Sequence, residues 1–140
     1  QQDFIESRKQ PLPRDLRITA VQVLSALEHM HKNGLLHRDV KPANICWKSP
    51  ARKSICLVDF GLAKSYLKGS KHVEKQFKSS LTGTPRFCSM RAHANSSTSR
   101  RDDIESLCYS VIYLFLGKLP WQGLRIKDKE KKNPLFFTFG

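Results

Sequence analysis

Acidic residues are scarce in this chain: 12 Asp and Glu stand against 25 Lys and Arg, leaving a formal net charge of +13. A field of that size attracts polyanions, whether nucleic acid, acidic membranes or acidic peptides, and does not by itself choose among them. Long hydrophobic runs are also missing. The longest, Leu107–Leu116, is interrupted by Ser110 and falls short of the roughly 18 residues that cross a bilayer, so no membrane span is expected. Cysteine is sparse, and none of Cys46, Cys56, Cys88 and Cys108 forms a CxxC pair. That argues against a disulfide framework or a zinc site and for reduced thiols in an intracellular (cytoplasmic or nuclear) protein. His29 and His31 stand two apart, on different faces of any helix, so they do not chelate. The first residue is not Met, and no charged leader precedes an apolar stretch, so the chain is expected to be processed or, more simply, a fragment.

What remains is ordinary globular material. Hydrophobic residues make up 39% and charged residues 26% of 140, which excludes wholesale disorder and suggests one domain or part of one. Pro11-Leu12-Pro13 reads as a break. From Thr19 the pattern turns helical, with Ile18, Val21, Leu24, Leu27 and Met30 on an apolar face, Thr19 and Gln22 as a capping box, and Asn33-Gly34 as the stop. Two β-rich runs follow, Asn44–Trp47 and Ile55–Val58, and form a hairpin across the polar segment Lys48–Ser54. Residues 61–100 carry no sustained period, as functional or mobile segments often do. A second helix is predicted from Ser99, with Asp102 closing its capping box, to Leu116 before Gly117 and Pro120. Its apolar residues cover nearly every face, the mark of a helix inside a large domain, and too little chain follows to cover them all. A sizeable exposed patch is therefore expected.

The chemistry-bearing residues sit around the hairpin. His37-Arg38-Asp39-Val40-Lys41-Pro42-Ala43-Asn44 precedes its first strand, and Asp59-Phe60-Gly61 follows its second. In that order and placement they resemble the H-R-D-x-K-x-x-N catalytic loop and D-F-G motif of eukaryotic protein kinases. The resemblance implies ATP as phosphoryl donor and Mg²⁺ as cofactor. It casts Asp39 as the acceptor of the substrate hydroxyl proton, Lys41 as a point charge on the γ-phosphate, and Asn44 and Asp59 as oxygen donors to the metal. Lysine at position 41 favours serine/threonine over tyrosine kinases. His37 is implied to be structural, packed beneath Phe60. Arg38 is left open between gripping a phosphate and pairing with a local acid. Asp103 resembles the helix-borne aspartate that holds the catalytic loop from below.

Further on, Leu81-Thr82-Gly83-Thr84-Pro85-Arg86-Phe87-Cys88-Ser89-Met90-Arg91-Ala92-His93, Ser99–Leu107 and Gly117–Leu124 resemble casein kinase I, with parts shared by tau-tubulin and vaccinia-related kinases. The likeness covers about residues 14–127 and leaves 128–140 as a divergent tail. By position it implies that Thr84 braces the catalytic aspartate and lysine, and that Cys46 and Val58 line the adenine pocket. It also implies that Arg86 recognises an acidic or phosphorylated residue near the target serine or threonine. The chain lacks a G-x-G-x-x-G loop and a V-A-I-K lysine. The expected fold is thus mainly α with a small β-hairpin: an incomplete, kinase-like C-terminal lobe without its N-terminal lobe and last helices. As a piece it is expected to be inactive alone. The alternatives are a truncated, non-catalytic homologue that scaffolds or competes for substrates, and a basic nucleic-acid module. The last lacks a helix-turn-helix signature, an aromatic-studded sheet or zinc spacing, so no specific nucleic-acid partner is expected.

Overall fold

The computed structural model describes residues 13–48, 54–77 and 80–123. In chain order these form α1 (Pro13–Lys32), β1 (Leu35–Leu36), β2 (Ile45–Trp47), β3 (Ile55–Leu57), β4 (Lys64–Ser65), β5 (Leu67–Lys68), β6 (Lys71–His72), α2 (Met90–His93) and α3 (Arg100–Leu116). Two single 3₁₀ turns, Pro42–Asn44 and Pro85–Phe87, bracket the loops that matter below. The strands pair as three separate antiparallel ribbons, β1 with β4, β2 with β3 and β5 with β6.

The core lies where α1 and α3 cross the β2–β3 ribbon. Val23 and Leu27 of α1, Ile45, Ile55 and Leu57 of the ribbon, Leu107 of α3 and Val40 of the intervening loop form one buried cluster, flanked by Met30, Trp47, Ile104 and Val111. The ribbon fits because side chains alternate across a strand. Ile45, Ile55 and Leu57 face the helices, and Cys46 and Cys56 face the other way. The two runs do pair as a hairpin, in a register that sets Ile45 opposite Leu57, Cys46 opposite Cys56 and Trp47 opposite Ile55.

The first helix departs from its sequence reading. Helix α1 already includes Pro13, a residue tolerated in a first turn because its missing N–H has no partner there anyway. Thr19 is no cap: it is fully buried, and its hydroxyl donates to the Asp15 carbonyl at 2.7 Å, one turn back. The buried face is Leu16, Thr19, Val23 and Leu27, whereas Val21 and Leu24 are 58% and 48% exposed. Apolar residues on both sides of the true stripe had blurred its centre. The stop holds. Gly34 takes φ +76°, and a side chain there would press on Leu67.

Helix α3 begins as its sequence indicated. The Ser99 backbone N–H donates to Asp102 Oδ2 at 2.6 Å, completing a capping box. Its buried residues are Asp102, Asp103, Leu107, Ser110 and Leu114, while Ile112, Phe115 and Leu116 are exposed. Residues 61–100, without a period in sequence, are not wholly irregular: they supply β4, β5, β6 and the single-turn α2. Such two-residue pairings bury almost nothing and leave no hydrophobic periodicity to read. The tail from 124 onward, including the divergent segment 128–140, lies outside the described residues. No helix among the described residues is long and apolar enough to cross a membrane.

Candidate active site

The loop between β1 and β2 is held from three sides. From below, the buried Asp103 carboxylate accepts the His37 N–H at 3.0 Å and the Arg38 N–H at 2.8 Å. The same carboxylate bonds His31 Nε2 at 2.8 Å, a contact between helices that no motif announced. These bonds hold Arg38 at φ +70°, a left-handed conformation uncommon outside glycine. The Arg38 side chain donates through Nε to the Leu62 carbonyl at 2.6 Å.

From the ribbon side, Val58 fastens the loop to the segment after β3. Its N–H donates to the Asn44 carbonyl at 2.9 Å, and its carbonyl lies 3.1 Å from His37 Nε2. A carbonyl only accepts, so Nε2 carries the proton. Nδ1 is then the acceptor for the Asp39 N–H at 3.3 Å. The imidazole is fully buried, with Phe60 against it at a ring separation of 5.3 Å.

Burial drives the His37 pKa below its usual 6.5, against the opposing pull of the Val58 carbonyl and of Asp103, Asp39 and Asp59. The unfolded chain therefore takes up a proton at this ring first as pH falls. Its stability contribution is present above pH 6.5 and is lost as pH drops through the window between 6.5 and the lowered native value. Urea unfolding midpoints taken from pH ~7 to ~5 are expected to fall in wild type and to fall less steeply in His37→Gln.

The third side is the segment around Thr84, which meets Asp39 directly. Asp39 Oδ1 accepts from the Thr84 N–H at 2.8 Å and the Thr84 hydroxyl at 2.7 Å. Oδ2 accepts from Lys41 Nζ at 2.6 Å and, more distantly, from Asn44 Nδ2 at 3.4 Å. Lys41 also donates to Thr84 Oγ1 at 2.9 Å, so the hydroxyl relays between acid and base. Burial alone would raise the Asp39 pKa, but the hydrogen bonds from Lys41 and Thr84 outweigh it and hold the carboxyl below its usual value. The group is an anion at neutral pH, aimed and nearly buried.

Gly83 makes that approach possible. A Cβ built there would lie 2.6 Å from the Arg38 carbonyl and 3.1 Å from Cys88 Sγ, at φ +96°. Only glycine fits. The sequence reading passed over it, although the Thr-Gly-Thr run is the signal that could have flagged a close backbone approach. Cys88, packed beneath and close to Asp39, has its thiol pushed up to about 11 by burial and by that carboxylate.

Asn44 and Asp59 stand at the two ends of the Val58 fastening. The Asn44 amide is oriented by its Nδ2, which donates to the Asp39 carbonyl at 2.9 Å. Its Oδ1 is thereby turned away as an acceptor. Asp59 is exposed, at φ +63°, with Oδ1 accepting the Gly61 N–H at 3.2 Å. Its field and that of Asp39 both act on His37, which sets the two carboxylates around one ring. Cys46 is buried on β2, and Val58, just past the end of β3, is half-buried.

Arg86, two residues beyond Thr84, turns to other partners. It is exposed, its guanidinium lies 5.7 Å from the Tyr113 ring centre, and its carbonyl accepts from Trp121 Nε1 at 3.0 Å. The segment that carries it is clamped to α3: Ser89 donates to Asp102 at 2.6 Å, and the Met90 N–H donates to Glu105 at 2.9 Å. His93 Nε2 lies 2.9 Å from the Pro85 carbonyl. The structure thus joins Asp39, Lys41, Asn44 and Thr84 in one bonded group, sets Asp59 next to it through Val58, and leaves Arg86 exposed against Tyr113 and Trp121.

A model of the protein kinase domain family matches residues 2–136.

Proposed function

Because the chain belongs to the protein kinase family, we propose that it transfers the γ-phosphate of ATP to serine and threonine hydroxyls of acidic or phosphate-primed proteins, as a casein kinase I-like large lobe. The single observation that carries this reading is the Asp39–Lys41–Thr84 group. A carboxylate kept ionised by an ammonium and a hydroxyl, with its loop locked underneath, is what a phosphoryl acceptor needs to be oriented and deprotonated.

In this reading Asp39 accepts the hydrogen bond of the incoming hydroxyl and takes its proton as the oxygen–phosphorus bond forms. Lys41 lies between Asp39 and Thr84, placed to meet negative charge developing on the transferred group. Thr84 fixes the carboxylate through two bonds, so the oxygen need not reorient in the transition state. The donor set suits Mg²⁺: an amide oxygen from Asn44 and a carboxylate oxygen from Asp59 are hard ligands on either side of one backbone bond. When bound, the metal supplies neutralisation of phosphate charge. Cys46, on β2 beside Asn44, and Val58, just past the end of β3, form the floor for the adenine. No G-x-G-x-x-G loop is encoded in these residues, so the reading concerns the face that carries the acceptor.

The test is transfer of labelled phosphate from ATP to casein by the full-length protein, with the label recovered on phosphoserine and phosphothreonine. Label on phosphotyrosine would reject the specificity. Arg86→Ala is expected to raise KM for a phosphate-primed peptide by roughly tenfold, the value of one charge-assisted hydrogen bond, with kcat little changed. Equal KM for primed and unprimed peptides in wild type would remove Arg86 from substrate recognition.

A further inference from the structure

The face of the β2–β3 ribbon turned away from the helical core carries two thiols directly opposite each other. Cys46 and Cys56 are register partners, and both sulfurs are reduced in the structure. The bonds Val58 N–H to Asn44 carbonyl and Lys48 N–H to Ser54 carbonyl, each 2.9 Å, fall two residues to either side. By the alternation of an antiparallel ladder, Cys46 and Cys56 are therefore also a hydrogen-bonded pair, with α-carbons about 5.5 Å apart. That spacing lies within the window of natural disulfides. The Cys56 side chain already leans across the ribbon, its sulfur 3.5 Å from the Cys46 carbonyl oxygen. The two differ in access: Cys56 is half-buried, and Cys46 is 3% exposed.

The geometry points to a modification site: Cys46 and Cys56 form a dithiol that hydrogen peroxide closes into a cross-strand disulfide. The more accessible Cys56 thiolate attacks peroxide. A sulfur–oxygen bond forms, the oxygen–oxygen bond breaks, and the departing hydroxide takes up the Cys56 proton as water. The Cys46 sulfur then attacks the Cys56 sulfur. The sulfur–sulfur bond forms, the sulfur–oxygen bond breaks, and the leaving hydroxide with the Cys46 proton gives a second water. Two thiols are oxidised by two electrons, and one peroxide is reduced to two waters. Closure draws the β-carbons together by roughly 1.5–2 Å, at the ribbon position next to the Asn44–Val58 bond. The other two thiols are not competitors for this bond. Cys88 is buried with its thiol pushed up to about 11, and Cys108 is exposed on α3.

The inference stands whether or not the nucleotide reading does, because its test needs no activity. The full-length Cys108→Ser variant, freed of linkage between molecules at that position, is treated with hydrogen peroxide, quenched and digested with trypsin without reductant. Lys48, Arg52 and Lys53 lie between the two cysteines, so trypsin separates them, and only a disulfide keeps their peptides joined. The expected result is one linked species that dithiothreitol resolves, with both residues lost together from the alkylatable pool. In Cys46→Ser, Cys56 is expected to stop at a sulfenic acid that dimedone captures, whereas in Cys56→Ser the Cys46 thiol stays alkylatable after unfolding. Recovery of Cys56 as sulfinic acid beside an alkylatable Cys46 in the parent variant would overturn the site. So would a Cys56 that peroxide leaves untouched.

Discussion

Asp39→Asn is expected to lower phosphoryl transfer by about 10²–10⁴-fold, the span assigned to a positioned general base. The substitution is nearly isosteric, so the amide oxygen can still accept from the Thr84 N–H and hydroxyl, which lie 2.8 and 2.7 Å from Oδ1. What disappears is the second anionic oxygen. The side chain no longer takes a proton, and an NH₂ group now faces Lys41 Nζ, 2.6 Å from Oδ2 in the parent. Binding of ATP should change little, because the proposed reading assigns the nucleotide floor and the metal ligands to other residues. The loss should therefore fall on kcat. The measurement is labelled-phosphate transfer to casein by the full-length protein, with His72→Ala as the control. His72 is exposed and far in sequence from every residue of the cluster. Equal rates for wild type and Asp39→Asn would leave the mechanism without its central group.

Asp103→Ala is expected to cost roughly 2–6 kcal/mol of stability, about 1–3 kcal/mol for each of the two loop N–H groups that lose their acceptor. Asp103 is 2% exposed and serves three groups: the His37 and Arg38 N–H groups and His31 Nε2. Truncation leaves two loop N–H groups without their acceptor, the His37 group buried and the Arg38 group partly so. It also releases Arg38 from the left-handed backbone that those bonds enforce. Because α1, the His37–Asn44 loop and α3 meet at this one carboxylate, unfolding should be felt across the domain and not at the loop alone. Urea denaturation with the m-value monitored separates the cases: a lower midpoint at unchanged m is the expected result. Asp103→Asn, which keeps one acceptor, should fall between. If Asp103→Ala unfolds at the wild-type midpoint, the loop is held by something other than this acid.

The sequence was most legible where one residue type leaves few alternatives. The hairpin, the Ser99–Asp102 capping box and the Asn33-Gly34 stop were each written in local chemistry, as two β-rich runs, a box or a glycine. They return in the structure at the same residues. It was least legible where apolar residues were in excess. Val21 and Leu24 fit a helical face as well as Leu16 and Val23 do, and only packing against α3 and the ribbon decides which stripe is buried. Thr19 shows the same limit, since a hydroxyl that caps and one that bonds back to a carbonyl look alike in one dimension.

The candidate site divides along the same line. The order of residues alone singled out the candidates, His37 to Asn44 and Asp59 to Gly61, because acids, a lysine and an amide at those spacings match one family's motifs. Thr84, far along the chain, was pointed at Asp39 only by the family likeness, and neither the likeness nor the residue order said that it does so through two hydrogen bonds or that Gly83 is bare so that the Arg38 carbonyl can pass. Nor could it show His31 reaching across to Asp103, or two cysteines facing each other on a ribbon. Those are distances between residues remote in sequence, set by how two helices close over a hairpin, and the closing is a property of the packed core as a whole.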